Sequence, residues 1–220
     1  ATQALFPLRI FNDKIELMCF DTKCEGSSTA GRPFMASLSN FPLAPADVTE
    51  LILVQLGGIV TNVRLVNSTD ELTVLLISPP NYNCSACQFS RGAAVVSLRV
   101  LYVQDLSEIA AAAYTFWAPP SIQTATFHPS GTLIVLVFDQ PTDRAGMDPR
   151  DDSCEALIQE ARALLGVGSR CIWAANDKLN ILPGRRATVI LGSNLAILPA
   201  AGLRSLNRLS MPSASSAVVT

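Results

Sequence analysis

The chain has 220 residues, a hydrophobic fraction of 49%, a charged fraction of 15% and a formal net charge of −2. Such a composition supplies a packed core and excludes a disordered chain, and the absence of Lys/Arg clusters argues against binding a polyanion. The longest apolar runs, such as Leu133–Phe138 and Leu51–Val54, fall well short of the roughly 18–20 residues of a membrane span.

The first residues, ATQALFPLRI, lack the charged-then-apolar plan of a signal peptide. Both ends read as cuts in a longer chain, so the lack of a signal or anchor here says little about the parent protein. From Gly31 to Pro120 the pattern is short strands and turns. PFMASLSN carries alternating apolar residues at Phe34, Ala36 and Leu38. ELILVQL and GIVTNVRLV follow, joined at Gly57-Gly58, a dipeptide suited to a tight hairpin. Asn67-Ser68-Thr69-Asp70 is expected as a turn before ELTVLLI. AAVVSLRVLYV and IAAAAYTFWA flank the polar turn QDLSE. The run Ala110–Ala113 favours helix by propensity, but four residues cannot nucleate one against the aromatic YTFW that follows, so a strand is expected. Regular short strands with turn signals indicate an antiparallel β-sandwich. Pro119-Pro120 then ends the ladder, because proline donates no hydrogen bond and keeps its predecessor extended.

After Ser121, IQTATF and TLIVLVFD read as strands linked by the turn His128-Pro129-Ser130-Gly131. The stretch DPRDDSCEALIQEARALLGVG places Ala156, Leu157, Ala161, Leu164 and Leu165 at helical spacing. Acidic residues precede it and Gly166 and Gly168 follow it, which predicts one short helix of about three turns. CIWA, KLNIL, RATVIL and NLAIL return to strand composition, and SMPSASSAVVT reads as a low-complexity linker. The fold class is therefore all-β: two tandem immunoglobulin-like or fibronectin-III-like sandwiches, the second with one short helix. Residues 1–27 are expected as a lead-in or the end of a preceding module, 28–120 and 121–209 as the two β modules, and 210–220 as a linker. The proline pair predicts modules stacked end to end with limited freedom.

Six cysteines occur as Cys19/Cys24, Cys84/Cys87 and Cys154/Cys171. An even count beside a single histidine favours disulfides and an oxidising compartment. Among the first four the pairing stays open, and the long separation between couples argues against a four-cysteine zinc site. Cys84-Ser85-Ala86-Cys87 lacks the strand-to-helix setting that activates a redox C-x-x-C. A Cys154–Cys171 bridge would close a loop of about 18 residues, worth roughly 3 kcal/mol. Trp173 lies two residues beyond Cys171, on the same face of a strand, and reads as a core residue.

The one histidine, His128, sits in a Pro-Gly turn, and no G-x-S-x-G elbow accompanies it; a solvated turn residue is the favoured reading over a catalytic base. Asp139, Asp143, Asp148, Asp151 and Asp152 form an acidic loop. Calcium takes such oxygens, but the spacing matches no Ca loop and Arg144 and Arg150 interleave the acids. They remain weak calcium candidates, with no metal or cofactor expected. Asn67-Ser68-Thr69 and Asn83-Cys84-Ser85 satisfy the N-glycosylation pattern; the cysteine at the middle position makes Asn67 the better candidate.

GRPFMASLSNFP, LILVQLGGIVTNVRLVNS and AAYTFWAPPSI together resemble an IPT/TIG domain, an immunoglobulin-like module, over Ser28 to Pro120. A single Gly31 stands where that family has a Gly pair. ATFHPSGTLIVLVFDQPTDR, LGVGSRCIW and KLNILPGRRATVIL resemble part of the REJ (receptor for egg jelly) region of polycystin-like surface proteins, over Ile122 to Ser205. The resemblance implies a non-enzymatic extracellular or cell-surface segment acting as spacer and as adhesion or ligand-contact module. Its partners would be neighbouring domains of the same chain and other extracellular proteins or glycans, with no nucleic acid, and with membrane contact only through parts outside this stretch. Two other readings compete. One is an intracellular Ig-like dimerisation module, which would need a basic surface to bind DNA. The other is an accessory carbohydrate-binding β-domain, which would need Tyr102, Trp117 and Trp173 exposed.

Overall fold

The computed structural model of the chain describes residues 14–20, 24–28, 32–43, 48–80, 92–148 and 152–220. Two units divide it: Ala1–Cys24, Arg32–Pro80 and Val96–Tyr114 form the first, and Glu25–Gly31, Asn81–Val95 and Thr115–Thr220 the second. Through Trp117 the elements are β1 (Leu17–Cys19), β2 (Glu25–Ser27), β3 (Phe34–Ser39), a single helical turn α1 (Val48–Leu51), β4 (Ile52–Leu56), β5 (Ile59–Ser68), β6 (Leu72–Ser78), β7 (Ala93–Tyr102) and β8 (Glu108–Trp117). Their strands join in the order β1-β3-β6-β5-β4-β7-β8-β2.

In the first unit, period-two alternation decides which residues enter the core. Ala36 and Leu38 of β3, Val54 and Leu56 of β4, and Leu98 and Val100 of β7 are wholly buried, as is Tyr114 of β8. Gly57 and Gly58 both take positive φ, 58° and 85°, between the paired residues Leu56 and Ile59. That is the primed hairpin turn whose twist matches the strands it joins. The ten-residue β5 changes partners along its length: Ile59–Thr61 pair with β4, and Asn62–Ser68 pair with β6 across a bulge between Leu65 and Asn67. A strand that passes from one ladder to the next at a bend turns a sheet corner. The curl brings distant strands together. Phe34 of β3 meets Tyr114 of β8 with ring centroids 4.9 Å apart, although four strands separate β3 from β8 in the sheet order.

At the β7–β8 turn, Ser107 donates its hydroxyl (2.7 Å) and its N–H (3.0 Å) to Asp105 Oδ1, which holds the Asp105 carboxyl below its usual value. A depressed folded value stabilises the turn above the unfolded pKa, and that contribution is lost as pH falls through the folded one. The Ala-rich stretch is strand, as expected, with β8 running from Glu108 to Trp117.

The second unit contains β2, which pairs in parallel with Thr115–Trp117. Then follow β9 (Ile122–Phe127), β10 (Ile134–Phe138), β11 (Asp152–Ser153), α2 (Ala161–Leu164), β12 (Arg170–Ala175), β13 (Lys178–Leu182), β14 (Asn194–Ala196) and β15 (Ser216–Val218). A five-stranded antiparallel sheet has the order β11-β12-β13-β10-β9, and β14 pairs with β15. Ile134, Leu136, Trp173 and Ile181 on one face of that sheet share a core with Leu157, Leu165, Leu195 and Val219. The segment 154–165 and the β14–β15 ladder therefore cover the sheet.

Several expectations change here. The predicted three-turn helix is a 3-10 turn at Cys154–Ala156 followed by the single α-turn α2. Backbone groups that a helix would pair internally are taken by another segment: Ile158 bridges Ile197, Gln159 N–H donates to Ala196 O at 2.9 Å, and Leu198 N–H donates to Leu157 O at 2.8 Å. Glu160, at φ 53°, resets the chain direction before α2. RATVIL is not a strand; Arg186 takes φ 61° and breaks the extended run. Residues 17–19 and 25–27, expected in a lead-in, are strands of the first sheet.

The tail expected as a linker is structured. Ser213 donates its hydroxyl to Pro120 O at 2.6 Å, Ser215 Oγ accepts from Ile122 N–H at 3.1 Å, and Thr220 N–H donates to Ala125 O at 2.9 Å. Serines that read as low complexity are hydrogen-bonding groups along the start of β9.

Two loops of this unit pack backbone to backbone. Val167 and Arg185 exchange N–H···O bonds of 3.0 and 2.9 Å, and Gly184 N–H donates to Leu165 O at 2.7 Å. A Cβ on Gly184 would lie under 3.0 Å from Val167 O and Ser169 N. Backbone cannot yield as a flexible side chain does, so Gly184→Ala is expected to cost about 1–3 kcal/mol, read as a lower urea midpoint with unchanged slope.

Candidate interaction surface

Antiparallel pairing puts directly opposite residues on one face. Met18 lies opposite Ser37, and Phe20 N–H donates to Met35 O at 3.1 Å, which places Phe20 beside Met35. Met35 in turn lies opposite Leu76 of β6. On the other face, Leu17, Ala36, Leu38 and Leu75 fill the core. The outer face therefore presents Met18, Phe20 and Met35, exposed by 54%, 50% and 45%, with Leu76 half-buried behind them. Contiguous exposed apolar side chains mark contact surfaces more often than scattered ones do, and methionine adapts its shape to a partner. A disulfide between Cys19 and Cys24, with Cα atoms 5.4 Å apart, closes the chain directly around Phe20. The sequence offered one signal for this surface: Met35 is apolar at the polar phase of PFMASLSN.

The other candidate residues are dispersed. Cys154 and Cys171 are joined, with Cα atoms 4.9 Å apart, and both are wholly buried. Cys84, Cys87 and Asn83 lie outside the described residues, as does Asp151. Asn67 is exposed at the end of β5 rather than within a turn. The hydroxyl of its Thr69 is engaged locally, accepting from Leu72 N–H at 3.1 Å and donating to Leu72 O at 3.2 Å.

His128 Nδ1 lies 2.8 Å from Ser130 Oγ, which in turn lies 2.7 Å from Thr132 Oγ1. All three are exposed turn residues, and Ser130 N–H also approaches Nδ1 at 3.2 Å. The interactions close a turn, and among the described residues no carboxylate is hydrogen-bonded to the imidazole.

Asp139 accepts from Ser121 N–H at 2.9 Å and from Ser121 Oγ at 2.5 Å. Asp143 accepts from the N–H groups of Ala145 (3.1 Å) and Arg204 (2.9 Å), and Arg208 Nε lies 3.6 Å from its Oδ2. Both carboxylates hold loops together. Among the described residues, no group of three or more His, Cys, Asp or Glu could hold a metal ion. Of the three aromatics weighed for a sugar platform, Trp173 is 4% exposed and stacks on Phe138 at 5.6 Å. Trp117 is half-buried and donates Nε1–H to Glu25 Oε2 at 3.0 Å. Only Tyr102 of the three is exposed, so these three rings do not form a shared platform.

No family model matches the chain, and no curated protein matches it. Among solved structures it is similar to the plexin A4 full extracellular region, domains 1 to 8, with a TM-score of 0.37 and 10% sequence identity. The likeness covers 97% of this chain and 28% of that one, so the chain spans little more than a quarter of that plexin's length.

Proposed function

We infer that the chain is a non-enzymatic extracellular segment of a larger cell-surface or matrix protein, serving as structural spacer and as adhesion or ligand-contact module. The observation that carries this reading is the pair of disulfides, Cys19–Cys24 and Cys154–Cys171, in an all-β chain. Such bridges persist in oxidising compartments and are rare in reducing ones. The ligand-contact part rests on Met18, Phe20 and Met35, apolar side chains that the fold leaves in solvent. The primed Gly57-Gly58 hairpin and the closing strand that runs to Trp117 support an IPT/TIG-like first module. The REJ-like reading of the second rests on its residues alone. Partners on this reading are neighbouring domains of the same chain and other extracellular proteins or glycans.

Labelling with a membrane-impermeant amine reagent tests the location. Tryptic peptides of this segment should carry the label on intact cells producing the parent protein; labelling only after lysis would overturn the reading. A second expectation concerns the surface itself. Replacing Met18, Phe20 and Met35 each by Thr should move stability by no more than about 0.5 kcal/mol per site, as for ordinary surface positions. A fall of several kcal/mol in chemical denaturation would make these side chains structural instead.

A further inference from the structure

Among the described residues, the curled sheet of the first unit leaves a seam. β1 stands at one end of the strand order, with β3 as its one neighbour among the described residues. Ser39 N–H donates to Glu16 O at 3.0 Å and Phe20 N–H to Met35 O at 3.1 Å, so the even-numbered residues of this stretch turn their backbone groups toward β3. Antiparallel alternation then turns those of Ile15 and Leu17 to the opposite side. Facing them is the first half of β8. A groove of about 640 Å³ lies between, with Ile15, Leu17 and Met18 on one wall and Ile109, Ala110 and Ala111 on the other. β8 lies next to β7 in the sheet, and its other edge is paired with β2 only over Thr115–Trp117. Burial alternates regularly from Ala110 to Trp117. Ser28 N–H donates to Trp117 O at 3.0 Å, which fixes the odd residues as those turned toward that edge. Ala111 and Ala113 therefore turn backbone groups to an edge that no strand among the described residues covers.

We propose that this seam accepts an extended segment of about five residues from another polypeptide, bound as an added β-strand. The proposal rests on the ligand-contact reading above and names the class of ligand. Two facing edges whose backbone groups no strand among the described residues uses suit one geometry, an extended chain that pairs with either or both. The wall Lys14–Met18 is five residues long, roughly 16 Å at strand rise. Natural edges are commonly blunted by proline, bulges or charge. Here the wall has no proline or bulge, and its charges are Lys14 at the end and the exposed Glu16 within it. Side chains on the outer face of an added strand would lie beside Met18, continuous with Phe20 and Met35; those on its inner face would meet Leu17 and Ala110. The preferred segment therefore carries apolar residues opposite Leu17, Met18 and Ala110 and no acidic residue beside Glu16.

The test selects random heptapeptides displayed on phage against the full 220-residue chain, then measures one selected synthetic peptide and its copy N-methylated at alternate amides. The selected peptide should slow amide hydrogen exchange at Ile15, Leu17 and Ala111, and N-methylation should weaken binding by at least about tenfold, since each methyl removes a ladder donor. Ala111→Pro removes an outward N–H and should weaken the unmethylated peptide similarly. The methylated peptide keeps the test valid should that variant fail to fold. Equal affinity of the two peptides, protection at other amides, or no enriched peptide would overturn the proposal. So would protection of the same three amides by protein concentration alone, which would make the occupant a second copy. None of these outcomes bears on the disulfides, so the extracellular reading stands or falls separately.

Discussion

Replacing Trp173 by Ala is expected to destabilise the second unit by about 3–5 kcal/mol, the range for truncating a large buried aromatic. Trp173 is 4% exposed and stacks on Phe138 at 5.6 Å with rings 28° from parallel. It sits on β12 opposite Leu179 of β13, two residues from the bridged Cys171. Truncation would leave a void bounded by strands and a disulfide, none of which can collapse easily into it. Its indole Nε1 is buried with no hydrogen-bond partner among the described residues. That detail separates two substitutions. Trp173→Phe removes the unpaired donor along with some volume, so the relieved desolvation offsets part of the packing loss. Urea titration monitored by far-UV circular dichroism should place Trp173→Phe well above Trp173→Ala. Equal losses would mean that the indole N–H has a partner or that the site repacks around either change.

Removing the Cys154–Cys171 bridge as the pair Cys154→Ala and Cys171→Ala is expected to cost about 3 kcal/mol on the chain-entropy model. The bridge spans 17 residues of sequence separation, and within that loop lies the segment whose helical periodicity failed to become a helix. Leu157 and Ile158 are wholly buried within it; their N–H groups donate to Cys154 O, while Leu157 O and Gln159 N–H bond across to Leu198 and Ala196. Without the bridge, the unfolded chain regains the entropy of that loop, and the segment loses the tether that fixes its start against β12. Cys19–Cys24 has a sequence separation of only 5, so its removal should have a smaller effect, because the entropic term grows with loop length. Thermal unfolding of the two double variants checks the order. A larger shift for the Cys19/Cys24 pair would show that native-state contacts, rather than loop entropy, dominate.

Local chemistry made much of this fold legible. Gly57-Gly58 announced a hairpin because only such a pair accepts two positive φ values cheaply, and IAAAAYTFWA formed a strand because its alanines had no helical neighbours to extend them. The elements that were not legible are those decided by distant partners. LMC and EGS are three-residue strands set by β3 and β8, with nothing in their own residues to mark them. SMPSASSAVVT looked like a linker because its own residues mark no strand; what orders Ser213 and Ser215 is Pro120 and Ile122, more than ninety residues away in sequence. The same holds for CEALIQEARALL, where the periodicity was real but the tertiary bonds to 196–198 outcompeted it. The candidate surface was barely visible. Met18 and Phe20 face solvent only because β1 docks in one register, and a slip of one residue would have buried them.

The central claim is that this is a disulfide-bridged segment of an oxidising, extracellular setting. Its most direct test is the mass of the protein, alkylated on isolation from the cells that make it, before and after reduction. The account predicts that Cys19, Cys24, Cys154 and Cys171 resist alkylation until reductant is added, and that non-reduced digests contain linked Cys19–Cys24 and Cys154–Cys171 peptides. Alkylation of all six cysteines without reductant would contradict it.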